Sequence, residues 1–154
     1  MNKEFHRRKK IADLSKDFSS ITNGIFTIIK YKEQRSKDGR AMLLASIPLI
    51  EHPIYSETRI YIQEFYDEDD QIEYHYGWEK LNGSKHMKHI SAWGNEHHSG
   101  YRKVKNTEPY HHHHVPEAPA ERKDCYYIRE LRDVLEFVSE FVLFKKPYNQ
   151  DVNT

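Results

Sequence analysis

The chain has 154 residues, a length that suits one domain around one core. Lys and Arg number 24 and Asp and Glu 24, so the formal net charge is zero and the positive field of a general nucleic-acid binder is missing. Aromatics at 13% argue against disorder across the middle, the lone Cys125 excludes a disulfide framework and fits a reducing cytoplasm, and no apolar run nears the ~18 residues of a membrane span.

In chain order, residues 1–20 read as a basic N-terminal arm running into a short helix. Lys3, Arg7, Arg8, Lys9 and Lys10 stand against Glu4, while Ile11, Leu14 and Phe18 recur at helical spacing. No apolar segment follows the cations, so the arm is not a secretory signal. It reads as a solvated tail or as the contact for an acidic partner protein. Residues 21–31, with Ile25, Phe26, Ile28 and Ile29, read as a strand or buried segment. Residues 32–40 hold Asp38-Gly39 and read as a turn. Residues 42–50 are apolar with Pro48 inside, which predicts an edge strand or an irregular segment.

Residues 59–66 alternate and run into the acidic block Asp67, Glu68, Asp69 and Asp70, a solvated loop. Ile72, Tyr74, Tyr76 and Trp78 then recur every second residue, the pattern of a half-buried strand with one aromatic face. Asn82-Gly83 is a strong hairpin signal. A two-residue loop there sets Trp78 opposite Met87, Tyr76 opposite His89, Tyr74 opposite Ser91 and Ile72 opposite Trp93. The other face pairs Glu79 with His86, Gly77 with Lys88 and His75 with Ile90. Residues 94–124 show little periodicity and read as long loops or short irregular strands.

Ile128, Leu131, Val134, Leu135, Val138, Phe141 and Val142 form the apolar stripe of a last helix, with Asp124 as its cap and Lys145-Lys146-Pro147 at its end. The fold expected is α+β: a small antiparallel sheet with the C-terminal amphipathic helix packed on its aromatic face. Residues 21–146 make this one domain, and residues 147–154 a flexible tail.

Nine of the eleven histidines lie between His75 and His114, so function is sought there. Three chemistries compete. Imidazoles bind zinc and related divalent ions, and a site needs three or four of them. In extended backbone His111 and His113 point one way and His112 and His114 the other, with His97 or His98 as a third ligand. Their spacing matches no common zinc signature. Alternatively, two histidines act on RNA without metal, one accepting the 2′-hydroxyl proton and one protonating the leaving oxygen. His98 with His112 or His114 suits these roles, and Tyr101, Arg102 and Lys103 suit the phosphate. Third, a histidine can be a mere loop or core residue. That reading suits His89 beside Tyr76, while His75 and His86, which share a face with Glu73 and Glu79, are evenly balanced. Six histidines among positions 97, 98 and 111–114 call for more than packing.

Glu64 shares a face with Ile60 and Ile62 by parity, an odd place for a carboxylate. Such a residue is usually solvated at a strand end, less often a buried catalytic acid or a partner for histidine. Trp93, Asn95 and Cys125 read as structural.

Glu64, then Tyr74-His75-Tyr76-Gly77-Trp78, then residues 90–98 (Ile-Ser-Ala-Trp-Gly-Asn-Glu-His-His), then Tyr110-His111-His112-His113-His114 and the last helix stand in an order that resembles the TumE toxin family. The resemblance spans residues 56–142. It implies a toxin encoded beside a cognate antitoxin, with a site at His97, His98, His111, His112 and His114 supported by Trp93, Asn95 and Glu64. Ala92 stands where the family has Arg, Gly94 where it has Asp, Tyr110 where it has Pro and His113 where it has Lys, and one residue is missing between Asn95 and His97. A catalytic Arg or Asp at those places would leave this chain an inactive relative. The RNA target comes from the histidine chemistry rather than the resemblance. The alternative is a non-enzymatic module that binds metal or nucleic acid and inhibits by occupancy.

Overall fold

The computed structural model describes residues 3–33, 41–67, 72–81, 89–95, 112–115, 118–124 and 128–147, and gives the backbone alone at residues 72, 112–115 and 118–124. Helix α1 (Lys3–Asp17) leads into β1 (Thr27–Lys32), β2 (Ala41–Pro48), β3 (Thr58–Tyr66), β4 (Ile72–Lys80), β5 (His89–Gly94), β6 (His112–Val115), β7 (Ala118–Asp124) and helix α2 (Leu131–Leu143). The strands form one seven-stranded sheet in chain order. Every neighbouring pair is antiparallel.

Strict alternation gives the sheet two unlike faces. Along β2 and β3, buried and half-buried residues alternate without a break. Leu43, Ala45 and Ile47 lie beside Glu64, Ile62 and Ile60, which lie in turn beside Tyr74, Tyr76 and Trp78. This buried row of positions is the near face, and both helices cover it.

Residues 3–17 form a helix because they contain no Gly or Pro and carry the (i, i+4) pairs Glu4–Arg8 and Lys9–Asp13. Arg7, Ile11 and Leu14 are its buried side. Helix α2 buries Leu131, Val134, Leu135, Val138, Phe141 and Val142. Its Phe141 ring lies 6.1 Å from Trp78, and its Phe137 ring meets Trp93 edge-on at 5.7 Å. The Asp133 carboxylate accepts from the backbone N–H of Arg129 at 2.9 Å and of Glu130 at 3.2 Å, which starts α2 cleanly. The helices meet where Arg132 pairs with Asp17 at 2.7 Å. The fold is therefore the α+β arrangement expected, with the C-terminal helix on the aromatic face.

Several local expectations change. The β4–β5 register is displaced by four residues: Tyr76 faces Trp93 and Trp78 faces Ser91. The Asn82-Gly83 turn and Met87 lie outside the described residues. The observed register brings Trp93 from the end of the ladder to its middle, fully buried beside Tyr76. Burial of one indole is worth about 4–6 kcal/mol, more than any preference for a two-residue turn. A bulge with Ile90 as the extra residue then sets His89 opposite Glu79, so His89 is not beside Tyr76.

Pro48 does not make β2 an edge strand, because β2 lies between β1 and β3. Proline is tolerated there since the β1–β2 ladder stops at Ser46. The Pro48 carbonyl still accepts from Asn23 N–H at 2.9 Å. Asp124 does not cap the last helix; it ends β7, and α2 begins at Leu131. Residues 94–124 include two strands, β6 and β7. The basic residues near the N-terminus lie on a docked helix and are engaged: Arg8 by Glu4, Lys9 by Asp13, Lys10 by Glu64 and Arg7 by Tyr31. Among the described residues no helix is long and apolar enough to cross a membrane.

Candidate functional site

On the near face the chemistry centres on Glu64, which is fully buried. Lys10 Nζ lies 2.9 Å from its Oε1 and 3.1 Å from its Oε2. The Tyr76 hydroxyl donates to Oε2 at 2.5 Å, and the Tyr66 hydroxyl donates to Oε1. An unpaired buried carboxylate would cost several kcal/mol, and these donors offset that penalty. Arg7 stacks on the Tyr66 ring at 4.0 Å and donates to the Tyr31 hydroxyl at 2.9 Å. Burial, and then the Glu64 charge and hydrogen bond, push the Tyr66 and Tyr76 hydroxyls far above the usual phenol range. Both phenols therefore stay protonated and serve as donors.

Beside this cluster a cleft of about 770 Å³ opens between α1 and the start of α2, lined among others by His6, Lys9, Lys10, Asn95, Arg129 and Arg132. Its floor is the stacked pair Tyr74 and Tyr76, with ring centroids 4.7 Å apart. The Asn95 side chain accepts from Tyr74 N–H at 2.7 Å and fixes the end of β5.

On the far face, turned from the helices, Glu79 is only 4% exposed. Arg59 Nε and Nη2 each lie 3.0 Å from its Oε1, and His89 Nε2 lies 2.6 Å from its Oε2. Burial alone would raise the Glu79 carboxyl, but the His89 and Arg59 hydrogen bonds and charges outweigh it and hold the group below its usual range. The contact lies directly over Gly77. A Cβ there would stand 3.4 Å from both Glu79 Oε2 and His89 Cδ2, in close contact with the pair. The His75 ring is 6.4 Å from that of His89. Arg59 also lies over the Tyr61 ring at 5.2 Å.

Residues directly opposed in an antiparallel ladder belong to one face. The register therefore gives three rows across the far face. Gln63, His75, Gly94 and His112 form one; Tyr61, Gly77, Ala92 and His114 form the next; Arg59, Glu79 and His89 form the third. His113 stands opposite Trp93, in the other set of rows.

These rows sort the residues expected from sequence. The positions of His112 and His114 fall in line with His75 and Gly77. Glu64 belongs to the row of Leu43 and Tyr74, on the helix side, so it is not brought together with them. His97, His98, Tyr101, Arg102, Lys103, His111 and Cys125 lie outside the described residues. Of the zinc set His97, His98, His111 and His113, only the backbone of His113 is described. Among the described residues no group of three His, Cys, Asp or Glu is arranged to hold a metal ion.

Sequence reasoning missed the Arg59–Glu79–His89 cluster. Alternation already puts Arg59 and Glu79 on the polar side of their strands. The bulge at Ile90, which delivers His89 to them, leaves no mark in the pattern.

No curated protein and no solved structure matches the chain. The family described as Toxin TumE matches residues 9–142. That span takes in Lys10 and most of α1, well beyond the resemblance seen from residue 56 onward. The chain accordingly belongs to the TumE toxin family, and as a toxin of that kind it has a cognate antitoxin for a partner.

Proposed function

We propose that this toxin acts on RNA through histidine acid–base chemistry on the far face of the sheet, and that it works in the cytoplasm. The observation that carries the reading is the register of β6. It lines the position of His112 up with His75 and that of His114 with Gly77, the row next to the Arg59–Glu79–His89 cluster. Two imidazoles suffice for RNA. One takes the 2′-hydroxyl proton as that oxygen attacks phosphorus, and the other protonates the departing 5′-oxygen. The products are a 2′,3′-cyclic phosphate and a free 5′-hydroxyl. His98, His112 and His114 share the proton and phosphate duties, and Tyr101, Arg102 and Lys103 steady the phosphate. Glu64, closed in by Lys10, Tyr66 and Tyr76, anchors α1 rather than touching substrate.

The test is growth after induced expression, with total RNA run from each culture, for the wild type and for the His98→Ala/His112→Ala double variant. Arrest with RNA fragments ending in cyclic phosphate, both lost in the variant, is the expected result. Arrest with intact RNA would move the reading to a non-enzymatic module that binds metal or nucleic acid. Equal growth of wild type and variant would remove the histidine site.

A further inference from the structure

The far face holds an arrangement that does not involve the histidine groups at 97–98 and 111–114. Imidazole is a better base when its ring is aimed and its tautomer fixed, which a hydrogen-bonded carboxylate does. Glu79 supplies this to His89 at 2.6 Å. The carboxylate is itself held by two Arg59 nitrogens at 3.0 Å, so it cannot swing away. It is nearly buried, whereas the His89 side chain keeps 38% exposure, so the imidazole is the member of the pair that reaches solvent. With Nε2 given to Glu79, Nδ1 is the nitrogen left for a substrate proton.

Gly77 lies beneath the pair. A Cβ at Gly77 would touch both the carboxylate and the imidazole, 3.4 Å from Glu79 Oε2 and from His89 Cδ2, so the pair lies close across β4 at this position. The groups that face His89 from neighbouring elements are Glu79 and His75 on β4 and Arg59 on β3. A simple surface ion pair would not need the burial of Glu79.

We infer that His89 is the catalytic general base of the far-face site, with Glu79 as its positioning residue, and that the substrate is single-stranded RNA. This rests on the RNA reading above. His89 Nδ1 takes the proton of a 2′-hydroxyl while its oxygen bonds to phosphorus, and the P–O5′ bond breaks. A second histidine returns a proton to the 5′-oxygen; His75, 6.4 Å away, is the one nearest among the described residues. Tyr61, under Arg59 and in the row of Gly77, offers a flat ring on which an unpaired base can stack. A paired strand buries its base faces, so duplex RNA is a poor substrate.

The test uses the purified full chain and a short, mixed-sequence, end-labelled oligoribonucleotide, single-stranded or annealed. Wild type is expected to cleave the single strand and spare the duplex. His89→Gly is expected to lose about 10²–10⁴-fold in kcat, and added imidazole to restore part of it. Glu79→Gln is expected to lower kcat with KM little changed. Circular dichroism checks that each variant is folded. Cleavage by folded His89→Gly at the wild-type rate, or a loss that imidazole does not rescue, overturns the assignment while leaving the RNA reading in place. A wild type that cleaves no RNA overturns both.

Discussion

Lys10 on α1 and Glu64 on β3, 54 residues apart in the chain, form a two-point ion pair in which Nζ lies within 3.1 Å of both carboxylate oxygens. The carboxylate is fully buried and the lysine side chain 36% exposed, so the two ends are not equal. Removing the lysine strands a charge inside the protein. Lys10→Met is expected to destabilise the fold by about 1–3 kcal/mol, below the full value for a buried pair because Nζ is partly hydrated. Lys10→Met/Glu64→Gln should recover a good part of that loss. Urea denaturation of the two single variants and the double variant measures the coupling. Strict additivity would show that the pair is incidental.

The two phenols that donate to Glu64 make the protein sensitive to alkali. Their folded pKa values are raised above the ordinary 10.0 by burial and then by the Glu64 charge and hydrogen bond. The stability they contribute is therefore complete below about pH 10 and is lost as pH rises further, because the unfolded chain ionises first. Each tyrosine should add a fall of about 1.4 kcal/mol per pH unit above that point. Tyr76→Phe should remove one such contribution from the slope, whatever it does to the absolute stability. Thermal melts from pH 9 to 11 decide the matter.

Glu79 behaves in the opposite sense. Its folded pKa lies below the ordinary 4.5, since the His89 and Arg59 bonds outweigh the burial that would raise it. Its contribution is present above pH 4.5 and disappears as pH falls through the folded value. Glu79→Gln should flatten the stability profile between pH 6 and pH 3. An unchanged acid limb would mean that the carboxylate is not held as described.

The aromatic contact between α2 and the sheet should dominate the helix's attachment. Phe141 is fully buried and lies 6.1 Å from Trp78 and 5.2 Å from Phe137. Phe141→Ala is expected to cost about 3–5 kcal/mol through lost burial and the cavity left behind. Exposed Phe144, by contrast, should tolerate alanine within about 0.5 kcal/mol. Similar effects at both positions would contradict the packing.

What could be read in the sequence was what depends on near neighbours. Alternation at Tyr74, Tyr76 and Trp78 gave the aromatic face, and the stripe from Leu131 to Val142 gave the helix that covers it. Parity with Ile60 and Ile62 flagged Glu64 as misplaced for a carboxylate, and it is indeed buried. Its partner could not be read, because Lys10 reaches it only through the docking of α1. Charge also misled at Arg7, which looks solvated in sequence yet is 7% exposed under its stacking on Tyr66. At β4–β5 the Asn82-Gly83 signal implies one register, while the burial of Trp93 and one extra residue at Ile90 set another. The His89–Glu79 contact followed from that irregularity.

Because the strands lie side by side in the order of synthesis, each can zip onto its predecessor as soon as it emerges. Such pairings close short loops and form quickly. The cover is another matter. Its helices come from opposite ends of the chain, and the Arg132–Asp17 bond that joins them spans 115 residues. A growing chain therefore lacks the α2 half of its cover until residue 143 has been made, and the docking of α2 is a late event. Phe141→Ala should then speed unfolding far more than it slows refolding, a pattern that stopped-flow measurements on the two limbs would reveal.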